Sequence, residues 1–214
     1  MKSIQQYLEY LQLSGIEDIY LKPSTSKVYS SQKLDELEKK YQDCKKCPLC
    51  EARKNFCYGN GNPKAKLMLI GEGPGADEDA TGRVFVGRAG QLLTKMLKAI
   101  HLERDEVYIT NIVKCRPPNN RNPLPNEINA CLPYLEEQIT IIRPQLLLLL
   151  GKVAASTLLN RNLSLTKFRE NTYSFMGIKT YVTYHPSALL RNEGWKRPAW
   201  IDLQKLQKDY QKLD

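Results

Sequence analysis

The sequence predicts an α/β domain in which a parallel sheet is covered by helices on both faces. Three observations lead there. From residue 65 onward, short apolar runs alternate with longer amphipathic stretches, the rhythm of strand, loop and helix. The run Leu146–Leu150, all leucine, suits a strand buried on both sides. Finally, the segments richest in unusual polar chemistry, residues 71–87, 111–118 and 185–187, each directly follow a run. Sheets of this class hold their ligands beyond the carboxyl ends of the strands.

Taken in order, Ile4, Leu8, Leu11 and Leu13 mark a short amphipathic helix over Ile4–Leu13. Gly15 and the polar stretch Pro23–Lys27 read as a linker, and Leu34–Tyr41 as a second helix. Lys66–Ile70 is the first strand, followed by the glycine-rich loop 71–87 and a helix over 88–100. Glu106–Thr110 is the next strand. The loop 111–124 then leads to a helix over 125–142 opened by Pro125, whose missing N–H costs nothing at a helix start. A strand over 146–150 and a helix over 151–159 come next. Thr172–Phe175 and Lys179–Tyr184 are two strands hinged at Met176-Gly177, and a helix beginning near Pro198 runs to the end of the chain. The expected division is a helical extension with its linker over 1–40 and one globular domain over 41–214.

The 214 residues carry 32 Lys and Arg against 23 Asp and Glu, a net charge of +9. Residues 1–40 contain six Lys and six acidic residues, so the whole excess lies in 41–214. Such a domain attracts polyanions, nucleic acid foremost, in a salt-dependent way. No apolar run approaches the ~20 residues of a membrane-spanning helix. The polar opening Met-Lys-Ser-Ile-Gln-Gln-Tyr lacks the core of a signal peptide, so the protein is expected in the cytoplasm. Cysteines there read as ligands rather than disulfides.

Four of the six cysteines form a pattern. Cys44 and Cys47 are a C-x-x-C pair, Cys115 follows a strand, and Cys131 lies on the helix over 125–142. Two thiolates from one turn and two from distant elements can close a tetrahedral sulfur site. Zinc and an iron–sulfur cluster both suit such a set, and buried unliganded thiols are the plain alternative. Cys50 extends the first pair to C-x-x-C-x-x-C without the following C-x3-C-P of ferredoxins; Cys50 and Cys57 read as structural. Lys45, Lys46, Lys114 and Arg116 flank the pattern, so the site would brace a basic, nucleic-acid-binding surface.

Three further stretches carry a resemblance. They are Gly71-Glu-Gly-Pro-Gly-Ala-Asp-Glu-Asp-Ala-Thr-Gly-Arg-Val-Phe-Val-Gly-Arg-Ala-Gly-Gln-Leu-Leu93, Tyr108-Ile-Thr-Asn-Ile-Val-Lys-Cys-Arg-Pro-Pro118 and His185-Pro-Ser-Ala-Leu-Leu-Arg191. In this order, with the cysteine spacing, they resemble the family 4 uracil-DNA glycosylases, iron–sulfur enzymes of bacteria and archaea. The resemblance covers residues 40–214. It implies a three-layer α/β/α fold with a central four-stranded parallel sheet, and a 4Fe-4S cluster on Cys44, Cys47, Cys115 and Cys131. It also implies hydrolysis of the bond between uracil and deoxyribose, which leaves an abasic site in base-excision repair. The implied partner is uracil-containing DNA, single- or double-stranded. The protein is expected to act as a monomer, without a membrane, ahead of unspecified downstream repair enzymes.

The same resemblance assigns residues. Uracil is expected against Gly71, Glu72, Gly73, Glu78, Phe85, Asn111 and His185. Phe85 stacks on the extrahelical base, though by pattern alone it is a core ring. Asn111 accepts from uracil N3–H and donates to O4, a pairing that cytosine reverses; otherwise an Asn after a strand is a turn residue. Better-known uracil-DNA glycosylases place a water-orienting Asp where this chain has Gly73, which leaves Glu72 for that task. Glu78 excludes the methyl group of thymine, and Asp77 and Asp79 structure the loop. His185 donates to uracil O2 as negative charge builds there, whereas His101 reads as a surface or helix-capping residue. Ser187, Leu190 (or its neighbour Leu189), Arg191, Lys196 and Arg197 are expected on DNA. Val84 replaces a proline expected before Phe85, and the segment after Arg191 is short. No lysine stands out as a catalytic nucleophile, so a glycosylase without a lyase step is expected. The alternatives are a glycosylase for other deaminated bases, or a noncatalytic iron–sulfur protein that binds DNA or transfers electrons.

Overall fold

The computed structural model describes residues 26–213; the expected helix Ile4–Leu13 and the first part of the linker lie outside them. The chain enters through α1 (Ser26–Tyr41), so the last two linker residues are already helical, and a short α2 (Leu49–Ala52). Then follow β1 (Asn60–Gly61), β2 (Leu67–Gly71), α3 (Ala76–Thr81), α4 (Arg88–Ala99), β3 (Tyr108–Asn111) and α5 (Pro125–Ile142). The remainder is β4 (Leu146–Leu150), α6 (Lys152–Leu159), α7 (Leu165–Arg169), β5 (Tyr173–Phe175), β6 (Ile178–Thr183), α8 (Pro186–Arg191) and α9 (Lys196–Tyr210).

The strands form one sheet in the order β1-β3-β2-β4-β6-β5. Its four central strands are parallel, as expected. Two short antiparallel strands that extend it, β1 beside β3 and β5 beside β6, make six. The expected 172–175 and 179–184 pair is the β5–β6 hairpin. β1 escaped notice because two residues have no pattern to read.

Alternation along the strands divides the core. Met68, Ile70, Leu147, Leu149 and Val182 face one side, against Leu34 of α1, Leu135 and Ile139 of α5 and Ala155 of α6. Leu67, Leu69, Ile109, Leu146, Leu148 and Tyr181 face the other, against Leu93 and Leu97 of α4, Leu189 of α8 and Leu203 of α9. Each fully buried side chain of this kind contributes roughly 1.5–3 kcal/mol, which is why the sheet is the rigid frame. Helix α1 packs on α5. Helix α9 starts two residues before Pro198, which therefore sits in the first turn, where its missing N–H has no helical partner to lose. Among the described residues, no helix is long and apolar enough to cross a membrane.

Register decides where the site forms. Gly71 pairs with Asn111, so β2 and β3 end level. The ladder continues one step into the loops, with Ile112 N–H donating to Gly71 O (2.9 Å) and Val113 N–H to Glu72 O (3.1 Å). Two loops rich in polar groups thus leave the sheet side by side.

Candidate active site and thiol cluster

A cavity of about 520 Å³ opens at the carboxyl ends of the central strands. Glu72, Gly73, Glu78, Phe85, Asn111 and His185 all line it, and Gly71 lies directly beneath. A Cβ on Gly71 would come within 2.4 Å of Asn111 Oδ1 and 2.6 Å of Phe85 Cζ. The amide and the aromatic ring therefore meet over this glycine, and only a residue without a side chain leaves room for both. The Phe85 and His185 rings are 5.6 Å apart, tilted by 35°. Asn111 is 1 % exposed, and its Oδ1 is buried without a hydrogen-bond partner in the protein. An orphaned buried acceptor costs about 1–3 kcal/mol, so its presence at a cavity marks a place for a ligand donor.

Phe85 takes a left-handed backbone conformation, φ 52°. Two neighbours hold it there. Helix α4 approaches so closely that a Cβ on Gly90 would lie 1.9 Å from Phe85 O. The carboxylate of Glu78 accepts from Val86 N–H (2.9 Å), Gly87 N–H (3.0 Å) and Gly75 N–H (3.1 Å). Glu78 is thus a fixed wall of the cavity, tied by three backbone bonds across the loop. Asp79, read as a loop former, is buried and accepts from Lys54 N–H at 2.8 Å.

Glu72 is partly buried, and that burial raises its carboxyl above the usual range. At Gly73 a side chain would meet Val113 Cγ2 at 2.8 Å, so the Asp found here in other glycosylases has no room without a shift of Val113. His185 caps the start of α8. Its Nδ1 accepts from Ser187 N–H (3.2 Å) and lies 2.8 Å from Ser187 Oγ. An accepting Nδ1 puts the ring proton on Nε2. Burial, helped by Arg191, pushes the imidazole down to about 4, so near neutral pH it is an uncharged donor.

Of the residues expected on DNA, Ser187 and Arg191 line the cavity, while Leu190 is 41 % exposed on α8. The two leucines differ in placement: Leu189 is buried in the core beneath α8. Lys196 pairs with Glu193 at the surface (2.7 Å), and Arg197 is exposed. Lys114 is a correction. Expected among surface cations, it is fully buried, its side chain folded under the sheet end toward Thr110 and Gln138.

Several lining residues were not picked out from sequence. Gly151, Lys152 and Val153 follow β4, and Asn120, Arg121 and Asn122 follow β3. The signal for the first group was present, since they too leave the end of a central strand. Gly151 is left-handed (φ 94°), and a Cβ there would touch His185 Cβ at 3.0 Å. Also missed was a buried ion pair beside the end of β6, the strand that leads to His185. Arg169 grips Asp202 through Nε (2.6 Å) and Nη2 (3.1 Å), and Asp202 accepts from Thr183 Oγ1 (2.8 Å). The Arg169 guanidinium lies over the Tyr184 ring at 4.4 Å, and Tyr184 stacks on Trp195 at 5.0 Å.

Cys115 and Cys131 are buried in one core cluster, with Cys44 and Cys47 half-buried against it. Polar groups point at their sulfurs: Arg53 Nη1 to Cys115 (3.1 Å), Tyr134 OH to Cys44 (3.1 Å), Lys46 N–H to Cys44 (3.5 Å) and Lys114 N–H to Cys131 (3.3 Å). Burial pushes the Cys131 thiol up to about 12. Cys50 sits on α2 beside the group. Cys57 lies apart in the other core layer, its Sγ 3.2 Å from Glu78 O. Among the described residues, no three His, Cys, Asp or Glu side chains converge on a single-ion site.

Known proteins resemble this chain over most of its length. The family model of the uracil DNA glycosylase superfamily matches residues 58–204. The Type-4 uracil-DNA glycosylase of Sulfurisphaera tokodaii is 44 % identical over 182 residues, 81 % of this chain and 83 % of that protein. The Type-4 uracil-DNA glycosylase of Pyrobaculum aerophilum is 46 % identical over 180 residues, 80 % and 90 % of the two chains. A Type-5 uracil-DNA glycosylase of the same organism is more distant, 34 % identical over 151 residues, 63 % of this chain and 66 % of that protein. The match spans all six strands of the sheet, and the chain belongs to the uracil-DNA glycosylase superfamily, on its type-4 branch.

Proposed function

We propose that the protein hydrolyses the N-glycosidic bond of uracil in DNA, releasing the base and leaving an abasic site for repair. The observation that carries this reading is the buried, unpartnered Oδ1 of Asn111, which meets the Phe85 ring over Gly71 in a cavity at the strand ends that His185 also lines. Uracil N3–H is the donor that this oxygen lacks, and the amide nitrogen can donate to O4. Cytosine, with an acceptor at N3 and an amine at C4, leaves both bonds unmade. Phe85 offers an aromatic face worth roughly 1–3 kcal/mol of stacking, against the few kcal/mol that extruding a base costs.

In the reaction, the bond between C1′ and N1 breaks with its electron pair going to uracil. The Nε2–H of a neutral His185 stabilises the charge at O2, more in the transition state than in the ground state. Water adds to C1′. Glu72 orients it and takes its proton, a role that suits a carboxylate raised by burial. Glu78 rejects the methyl group of thymine as a rigid wall. Leu190, Arg191, Lys196, Arg197 and Ser187 hold the DNA, with Leu190 filling the gap left by the extruded nucleotide.

Cys44, Cys47, Cys115 and Cys131 fit a 4Fe-4S cluster: an all-sulfur donor set in one apolar cluster, with N–H and O–H groups directed at the sulfurs. When bound, the cluster supplies a tie between residues 44–47 and the segment 115–131. We read its role as structural. With four cysteines read as ligands rather than disulfides, we infer a protein of a reducing compartment, the cytoplasm, acting as a monomer. Residues 1–40 are read as an extension that takes no part in the chemistry; none of its described residues lines the cavity.

Incubation with uracil-containing single- and double-stranded oligonucleotides, followed by alkali, tests the reading. Strand scission is expected, and none above a His185→Ala control would overturn it. Borohydride should trap no covalent adduct, and an adduct lost in Lys152→Ala would show a lyase step.

A further inference from the structure

Lys114 is the one fully buried lysine among the described residues, and its side-chain nitrogen is enclosed by acceptors. Nζ lies 2.6 Å from Thr110 Oγ1, 2.8 Å from the backbone oxygen of Asn111 and 2.7 Å from Gln138 Oε1. Three acceptors match the three N–H bonds of an ammonium. The partners are themselves tied: Thr110 Oγ1 donates to Tyr58 O (2.8 Å), and Gln138 Nε2 to Tyr58 O (3.0 Å) and Tyr108 OH (3.2 Å). Burying so polar a group is costly unless its bonds are made, and a methionine would fill the same space at lower cost. Packing alone does not account for a lysine here.

What the lysine touches does. The peptide plane that follows Asn111 is held at both ends. Its carbonyl accepts from Lys114 Nζ, and its N–H, on Ile112, donates to Gly71 O (2.9 Å). The Asn111 side-chain oxygen has no protein partner, so backbone placement and packing alone aim the amide. The backbone of Lys114 is fixed in turn, its N–H to Cys131 Sγ (3.3 Å) and its carbonyl to Cys57 N–H (2.8 Å), with Cys115 the next residue. A single residue thus spans from the thiol cluster to the base-reading amide.

We propose that Lys114 is a positioning residue for base recognition, clamping the Asn111 peptide from behind so that the amide meets uracil in the correct orientation. The inference rests on Asn111 as the uracil reader. It places specificity in a buried network, anchored on the thiols, rather than in the cavity wall alone.

The test uses the full-length protein with its metal complement, and Lys114→Met, which keeps length and removes the donors. Uracil excision and inhibition by free uracil should both weaken by about 10- to 100-fold. Iron content and affinity for abasic-site DNA should stay within about twofold, because neither needs the amide. If Lys114→Met does not purify as a folded protein, Gln138→Leu removes one acceptor while leaving Lys114 in place and should weaken free-uracil inhibition about threefold or more. Unchanged uracil inhibition, or an equal loss of abasic-site binding, would overturn the proposal. Two controls separate it from the underlying reading. Wild-type protein that releases no uracil refutes the glycosylase assignment, and Asn111→Ala with normal uracil inhibition refutes the reader. With wild-type activity and a defective Asn111→Ala in hand, either of the two overturning outcomes counts against the lysine itself.

Discussion

Adding one methyl group at Gly71 tests the packing of the site without touching any group that reacts. Gly71 does not occupy the left-handed backbone region, so alanine is acceptable to the chain itself and the consequence is steric. The new Cβ would stand 2.4 Å from Asn111 Oδ1 and 2.6 and 2.9 Å from two atoms of the Phe85 ring. Ordinary contact is about 3.5 Å, so the amide and the ring must each retreat by about 1 Å. A misplacement of that size costs about 10²-fold in rate, close to 3 kcal/mol of activation free energy. Crowding a packed region costs roughly 1–3 kcal/mol of stability, small enough for the protein to remain folded. Single-turnover excision from a uracil oligonucleotide, beside a thermal melt, measures both. Gly194→Ala is the comparison, since nothing lies within 4 Å of its added carbon. A Gly71→Ala protein that excises uracil within about threefold of wild type would mean that the placement of Asn111 and Phe85 does not set the rate.

Other expectations follow from the same structure. Asn111→Asp removes the donor to O4 and sets a carboxylate against it, so excision should fall by about 10²-fold or more; a near-normal rate means that another group reads the base. Burial raises the Glu72 carboxyl, and the ionised form is the one that takes a proton. Activity should therefore fail as pH drops through a value above the usual carboxylate range, and Glu72→Gln should be slow without that acid limb. His185, pushed down to about 4, should add no inflection near pH 6.5 in the same profile. Asp202→Asn leaves Arg169 unpaired in a site where the two side chains are 11 % and 4 % exposed. Breaking such a pair costs about 3–5 kcal/mol, or roughly 6–20 °C in melting temperature for a chain of this size; an unmoved melt means the pair holds nothing. Cys131→Ala should lose bound iron and the visible absorption that accompanies it, and a variant retaining both would remove Cys131 from the ligand set.

The elements that sequence marked well are those with chemical punctuation. Pro125 opens α5, and the unbroken leucines of β4 admit one reading, so both match residue for residue. Helices α3, α7 and α8 span only five or six residues each, too short for a 3.6-residue period to register. Strand-end loops were legible as chemistry because Gly71, Asn111 and His185 each follow an apolar run. What could not be read was what each side chain faces. Lysine is a surface residue by habit, and only Thr110, Asn111 and Gln138, brought together by β3 and α5, turn Lys114 inward. Leu189 and Leu190 are identical in sequence terms, and the rotation of α8 alone separates core from surface. The Glu78 carboxylate looked like a wall group, yet its three bonds to Gly75, Val86 and Gly87 depend on how a loop folds back on itself.

The brace formed by Arg169, Asp202, Tyr184 and Trp195 has a bearing on how the protein matures during synthesis. Tyr184, the residue before His185, is held by groups that lie after it in the chain, by Trp195 on the 3-10 turn Glu193–Trp195 and, through Arg169, by Asp202 on α9. A ribosome therefore delivers the sheet and the loops of the cavity before it delivers the parts that hold Tyr184 and the end of β6. Until α9 emerges and docks, a nascent chain has all its strands and the loops that line the cavity, but not the contacts that hold the end of β6.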